Sequence, residues 1–510
     1  MAVLLFIMLF LLLAFYFYVK WLYSYWTRKG VFQLEPKFLM GNLSEVFTYK
    51  KSWGLVVADI YKEFKRRNVK HGGFYIILNA VYMPLDPNVI RNILLKDFNH
   101  FMNHGSYVNE EADPLTGHLF NLEDDKWRTL RTKLTPTFTS GKMKMMFQTF
   151  VICTKRLEEA INNRVARKEP TDLKEILASF TTDIIGNCAF GIECNSLRDP
   201  ECDFRQYGRK IAERTLQETV TFILYQMLPR VIVDILGLKT TSSEVEKFFL
   251  GVVKETVDYR EKNNVFRKDF MHLLLQLKNQ GVVTDDETIT RGENRGQSTL
   301  TFNELAAQCF VFFLAGYETS STAMSFALFE LALNPSVQDK LRKEINDVLE
   351  RHNGQFTYEA VMEMSYLDKV ILETLRKYPA LPVIIRACNK TYKIPGTDFE
   401  IEKGTLVNIP IVGVHMDEEY YPEPEKFDPE RFSEENKSKR PNFTYLPFGE
   451  GPRMCIGMRF GLLQSKVGLA TIIRRFKIAL NDKTITPIQM DPSVFFLSAK
   501  GKLWFDVKSV

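Results

Sequence analysis

The strongest pattern in the chain is at its start: residues 2–19 read AVLLFIMLFLLLAFYFYV, with no charge and hardly a polar group. At about 1.5 Å per residue such a run rises roughly 27 Å, close to the ~30 Å of a hydrocarbon layer. Lys20, Arg28, Lys29 and Lys37 follow, interleaved with Trp21, Tyr23, Tyr25 and Trp26. Aromatic and basic residues at that edge predict a membrane interface whose downstream side faces the cytosol. A cleaved secretory signal would need a basic leading region, a shorter apolar run and a small-residue cleavage site. The pattern therefore predicts a transmembrane anchor over residues 1–22, a short hinge over 23–45 and one large domain over 46–510.

Beyond the anchor, apolar residues recur with the helical period, as in residues 145–165 and 270–277. Alternating, β-rich pieces are short: residues 73–78, 388–401, 405–411, and 495–507 with a turn near Lys500 and Gly501. No repeat of fixed period is present. The expectation is a mainly α fold with a small β region. Residues 281–298 are polar and aperiodic and read as a solvated loop. Residues 222–238 are very apolar but interrupted by Pro229, Arg230 and Asp234. They read either as a buried helix pair or as a surface dipping into the bilayer.

Composition narrows the function. Of 510 residues 45% are hydrophobic and 25% charged, which allows a large core, and 40 Phe suit an apolar cavity. The net charge of +5 is spread along the chain rather than blocked, so nucleic acid is a poor partner. A modest basic excess fits a membrane surface or an acidic protein partner. Seven cysteines do not make a disulfide framework, and Cys188, Cys194 and Cys202 lack the paired spacing of a metal site.

Four constellations carry chemistry. The loop FGEGPRMCIG ends on Cys455 just before a helical pattern, where backbone N–H groups, the helix dipole and Arg453 would favour a thiolate. A buried cysteine beside an ordinary helix start is an equal reading of the loop alone. Residues 305–317 are apolar nearly all round, and the turn AGYETS then brings Glu318 and Thr319 to the interior, where unpaired polar groups cost a few kcal/mol. Trp127 and Arg131 share one helical face and offer donors for carboxylates. Glu373 and Arg376 lie opposite the stripe of Leu367, Ile371, Leu375 and Tyr378, as a plain surface ion pair would.

These motifs, in this order and over essentially the whole chain, resemble the cytochrome P-450 superfamily, and LTPTFTSGKMK, NELAAQCFVFFLAGYETSS and FGEGPRMCIGMRFGLLQSKVGL resemble insect microsomal family-six members. The resemblance implies a haem-thiolate monooxygenase domain in which Cys455 ligates the iron of haem b. It implies that Thr319 and Glu318 guide protons, that Trp127, Arg131, Arg386 and Arg453 hold the haem propionates, and that Glu373 and Arg376 join Arg431 of PERF in a buried network steadying the cysteine loop. It implies a widened turn at Ala315 and Gly316, and a pocket near Phe120, Phe310, Phe313, Val383 and Phe495. Electrons would come from NADPH through a diflavin reductase, with cytochrome b5 as an occasional donor, docking on Lys126, Lys133, Arg440, Arg459 and Lys466. The enzyme would sit in the endoplasmic reticulum membrane with its domain on the cytosolic side. There it would oxidise hydrophobic small molecules, xenobiotics such as insecticides or plant toxins among them. The proline-rich hinge usual in such proteins is reduced to QLEPKF. A haem protein that binds or sequesters hydrophobic ligands without turnover is the other reading.

Overall fold

The computed structural model describes residues 1–212, 216–228, 230–283 and 299–510. Most of the loop expected over 281–298 lies outside the described residues. The apolar start forms helix α1 (Ala2–Leu22), whose side chains are exposed apart from Val19 and, in part, Leu22. The segment expected as a hinge is packed. Tyr23, Trp26, Val31 and Leu43 are buried against strand β1 (His71–Ile76). The Tyr23 hydroxyl donates to Ile77 O at 2.9 Å and accepts the Gly41 N–H, while the Tyr75 hydroxyl donates to Tyr23 O. Trp26 Nε1 donates to Phe74 O, and its ring lies where a Cβ on Gly73 would come within 2.2 Å, so only glycine allows this close approach.

β1 pairs antiparallel with β2 (Asn79–Pro84) at the edge of a four-stranded sheet. β3 (Thr171–Asp172) belongs to a second sheet, and β4 (Ile384–Ala387) returns to the first. The piece expected over 388–401 is a two-residue ladder, β5 (Tyr392–Lys393) with β6 (Glu400–Ile401). β7 (Leu406–Ile409) lies between β2, parallel, and β4, antiparallel. At the C-terminus only Trp504–Ser509 is a strand, β9, and residues 495–503 approach it as irregular chain. Its main partner, β8 (Phe476–Leu480), follows a helix with no turn residue between and so escapes the pattern.

Helices make up the rest, among them α2 (Trp53–Arg66), α3 (Asp124–Leu134), α4 (Ser140–Ala166), α5 (Leu173–Ile185), α6 (Leu216–Met227), α7 (Arg230–Ile235), α8 (Ser243–Asn263) and α9 (Phe270–Gln280). The centre is α10 (Phe302–Leu333), 32 residues started by a capping box in which Thr301 and Glu304 satisfy each other's N–H groups. It is buried over most of its length against α5 and α12 (Met458–Arg475). At the α10–α12 crossing Gly468 meets Met324 and Gly461 meets Ser320. α11 (Ser365–Lys377) completes the frame around the cysteine loop.

Candidate active site

Two glycines shape the loop that carries Cys455. Gly449 (φ +69°) and Gly451 (φ +75°) adopt left-handed backbone, and a Cβ on Gly451 would lie 1.9 Å from Leu94 O. The Cys455 N–H donates to Phe448 O at 2.8 Å, and α12 begins three residues later. Although Cys455 is solvent-accessible, the protein atoms packed around it desolvate its thiol and push it up, while the Gly457 N–H and the Arg131 guanidinium pull it down. Among the cations, Arg131 is the one whose charge lowers the thiol.

Arg453 faces the other way. Its Nε donates to Met102 O at 2.9 Å and its Nη2 to Leu122 O at 2.7 Å, and its guanidinium covers the buried Trp127 ring at 4.0 Å. Burial, then the charge of Arg386, lowers its pKa to about 9. Arg386 is lowered to about 9 by burial alone; its Nη1 donates to Ile385 O, and its Nε is buried with no partner among the described residues. The Arg131 guanidinium likewise makes no hydrogen bond among those residues, although its carbonyl accepts from Thr135. His104, whose ring bonds Phe120 O at 2.8 Å, is held well below its usual range by burial and by the charges of Arg386 and Arg453. The three guanidiniums thus lie close enough for their charges to act on one another with no hydrogen-bonded carboxylate among the described residues, an arrangement suited to a buried dianion such as the paired propionates of haem.

The facing wall is α10. Ala315 is exposed although the helix is buried to either side, and Cys455 is exposed although its surroundings are packed. Gln464 Nε2 of α12 donates to Gly316 O at 3.3 Å, which ties the helix that follows the cysteine loop to the turn before Thr319. The Thr319 hydroxyl donates to Ala315 O at 2.6 Å. The α-helix runs unbroken from Phe302 to Leu333, so the widened turn expected at Ala315 and Gly316 is not seen. Burial raises the pKa of Glu318, against the pull of Lys174 and Arg205. Its Oε1 lies 3.5 Å from the Thr322 hydroxyl, and it makes no direct bond to Thr319.

Glu373 and Arg376 are both 0% exposed. This corrects the surface pair that helical spacing alone suggests: the irregular chain after His415 wraps the polar side of α11. Arg376 donates from Nε and Nη2 to both Glu373 oxygens at 2.7 and 2.9 Å, and to the carbonyls of His415 and Pro424. Arg431 Nε lies 3.5 Å from Glu373 Oε1, and its Nη2 donates to Glu423 O. His415 was not singled out by the sequence, where it is a lone histidine in an apolar stretch. Its Nε2 accepts the Leu446 N–H at 2.8 Å, so its Nδ1 carries the proton toward Arg376 O at 3.1 Å. Leu446 O in turn accepts the Gly449 N–H, which links the ion pair to the cysteine loop.

Among the basic residues expected at a docking face, Lys126 is exposed and paired with Glu110, and Arg459 is exposed. Arg440 stacks on Phe432 and Tyr445. Lys466 is buried and paired with Asp368 at 2.7 Å, so it is not available to a partner. Of the pocket residues, Phe120 is 44% exposed beside His104, and Phe310 lies 6.4 Å from the His118 ring. Phe313 is spent in the core, packed on Tyr317, Phe204 and Phe249. Val383 is buried, and Phe495 packs on Trp53.

The family model described as Cytochrome P450 matches residues 34–505. The chain belongs to the cytochrome P-450 family. Among its relatives, Cytochrome P450 6A1 of Musca domestica is 44% identical over 502 residues, covering 98% of this chain and 96% of the relative. Probable cytochrome P450 6a14 and 6a13 of Drosophila melanogaster are 42% and 43% identical, covering 98% and 96% of this chain and 97% and 95% of their own lengths. As a P-450 the protein is a haem-thiolate monooxygenase by family, built as expected from a mainly α domain with small sheets behind an apolar N-terminal helix. P-450 enzymes generally draw electrons from a redox partner and act on hydrophobic substrates.

Proposed function

We propose that this P-450 is a membrane-bound monooxygenase of the endoplasmic reticulum that hydroxylates hydrophobic xenobiotics on the cytosolic side, with two electrons from NADPH delivered through a diflavin reductase. The overall change is substrate C–H plus O2, NADPH and a proton giving C–OH, water and NADP⁺. Haem b, held by Cys455, supplies O2 activation when bound. The observation that carries the reading is the convergence of Arg131, Arg386 and Arg453 near the cysteine loop, with the Arg386 Nε and the Arg131 guanidinium making no hydrogen bond among the described residues. They would hold the propionates, with Trp127 fixing Arg453 from behind.

Glu318, its pKa raised by burial, can carry a proton nearer neutrality than an exposed carboxylate, and the Thr319 hydroxyl can turn from Ala315 O to pass one onward to the site where O2 would be bound. The Glu373, Arg376 and Arg431 network steadies the cysteine loop through His415. Phe120 and Phe310 offer apolar surface to the substrate, with Val383 and Phe495 behind. Lys126, Lys133, Arg440 and Arg459 would meet the acidic face of the reductase or of cytochrome b5.

In the reduced protein with carbon monoxide, we expect the red-shifted Soret band of thiolate ligation and its loss in Cys455→Ser. A folded wild-type protein without that band defeats the haem-thiolate assignment. With reductase present, substrate-dependent NADPH oxidation yielding product, and product falling at least ~10²-fold in Thr319→Ala, marks the enzyme. Ligand-induced spectral shifts without any turnover would favour the binding protein.

A further inference from the structure

We infer that the α10 turn of residues 315–318 has a second, opened form, and that Gln464 is the positioning residue that holds it by standing in for the helical bond from the Ser320 N–H to Gly316 O. The inference rests on the proposed place of Thr319 beside bound O2. The turn is marked by its carbonyls. In an α-helix each carbonyl takes the N–H four residues on, and a side-chain donor to the same oxygen competes with that bond. Four consecutive carbonyls carry such a donor: Thr319 Oγ1 to Ala315 O at 2.6 Å, Gln464 Nε2 to Gly316 O at 3.3 Å, Thr181 Oγ1 of α5 to Tyr317 O at 2.9 Å, and Ser321 Oγ to Glu318 O at 3.0 Å. Further along, the next carbonyls so served are those of Ser321 and Glu330, which leaves residues 322–329 as ordinary helix among the described residues.

A helical bond broken in a buried place must be made good at both ends, because a polar group left alone there costs more than the bond itself is worth. At Gly316 the oxygen end is already met by Gln464 Nε2. The freed N–H at the other end belongs to Ser320, and its acceptor is the second group of the same amide. Gln464 is 0% exposed, and its Oε1 has no hydrogen-bond partner among the described residues. One turn earlier on α12, Gly461 faces Ser320 across the crossing, so the idle oxygen and the Ser320 backbone belong to the same contact. A primary amide presents a donor and an acceptor side by side, the complement of a carbonyl and an N–H that have parted. The closed helix leaves that acceptor unmet, and opening satisfies it.

Space for the movement lies on one side. Gly316 rests on Ile185 of α5 so closely that a Cβ would come within 2.3 Å of its Cδ1, whereas Ala315 is exposed. The backbone is thus held from α5 and α12 and is free toward Ala315. Thr181, on the same face of α5 as Ile185, keeps Tyr317 O supplied while the turn moves. Because α12 begins just after Cys455, the residue that sets the width of the turn before Thr319 is carried by the helix of the sulfur side.

The test is amide hydrogen–deuterium exchange in the full chain with its haem, for wild type and for Gln464→Met, which keeps the length of the side chain and removes both hydrogen-bonding groups. In wild type, amides 319–321 should exchange faster, relative to their intrinsic rates, than amides 326–328 of the same helix. Equal or slower exchange there overturns the inference without any variant. In Gln464→Met, amides 319–321 should exchange about tenfold more slowly than in wild type, as expected when the opened form alone loses a hydrogen bond. A residue that merely braced the closed helix would speed them on removal, so equal or faster exchange in the variant also overturns the inference. The readout needs no turnover. Slowed exchange in a protein that makes no product keeps Gln464 in this role and removes the monooxygenase reading, and unchanged exchange in a protein that makes product does the reverse.

Discussion

The shortest bonds of the Arg376 guanidinium reach three separate stretches of chain: the two oxygens of Glu373, the carbonyl of His415 and that of Pro424. Removing it takes the paired cation from a buried carboxylate, which keeps only the Asp428 N–H and the long contact to Arg431, and takes a donor from two carbonyls; breaking a buried pair of this kind costs about 3–5 kcal/mol. Arg431 is at the rim, 14% exposed, with one long contact to Glu373 and one bond to Glu423 O. We expect Arg376→Leu to lower stability by about 3–5 kcal/mol, Arg431→Leu by about 1–3, and exposed Arg128→Leu by less than about 0.5. Urea unfolding of the three variants gives the order, and equal losses at 376 and 128 would contradict it. None of this was legible from spacing. The spacing rule reads only a helix's own stripes, and the groups that bury Glu373 arrive from about fifty residues downstream, as in Asp428 N to Glu373 Oε1. His415 was invisible for the same reason, since both its partners are backbone groups.

Helix α10 meets α12 at a crossing set by glycine, and the two positions there differ in a testable way. A Cβ on Gly461 would stand 3.6 Å from Ser320 Oγ, ordinary contact, whereas one on Gly468 would stand 2.5 Å from Met324 Sδ and 2.9 Å from a Phe180 ring carbon. Alanine favours a helix over glycine by about 1 kcal/mol at either site. Gly461→Ala should therefore be neutral or stabilising by up to about 1 kcal/mol, while at Gly468 overpacking of about 1–3 kcal/mol outweighs the gain. Thermal unfolding midpoints moving the same way in both variants would refute this. At this scale much was legible. Residues 145–165 and 270–277 lie inside the observed Ser140–Ala166 and Phe270–Gln280, because long periodic helices with capped ends declare themselves. Strand β8 did not, because no turn residue separates it from α12. The cysteine loop was legible in sequence because left-handed backbone at Gly449 and Gly451 requires glycine, but the direction of Arg453 was not.

Across the whole molecule, three buried histidines are held neutral. Burial lowers His415 to about 3 and His118 to about 4, and His104 well below its usual range. A base whose folded pKa is depressed binds fewer protons folded than unfolded between that value and ~6.5. Its contribution is complete above ~6.5 and is lost as pH falls, by up to about 1.4 kcal/mol per pH unit for each group. Glu318 and Glu373, with raised values, pull the other way. A difference between variants isolates the effect. His415→Phe should be less stable than wild type at pH 7 yet lose less as pH falls from 6 to 4, by up to about 1.4 kcal/mol per unit. Parallel stability curves for the two proteins would show that His415 is not held neutral.

The packed neck at Tyr23 and Trp26 has a kinetic corollary. If α1 anchors the protein as proposed, a body that cannot swivel on that anchor presents one side to everything else diffusing in the same plane. Bringing two free proteins together loses translational and rotational freedom estimated at 4–15 kcal/mol. For a donor embedded in the same bilayer, much of the rotational share has already been given up in folding. Collisions in two dimensions then arrive pre-aligned, and their success depends on the azimuth set by the ring of Trp26 against Gly73.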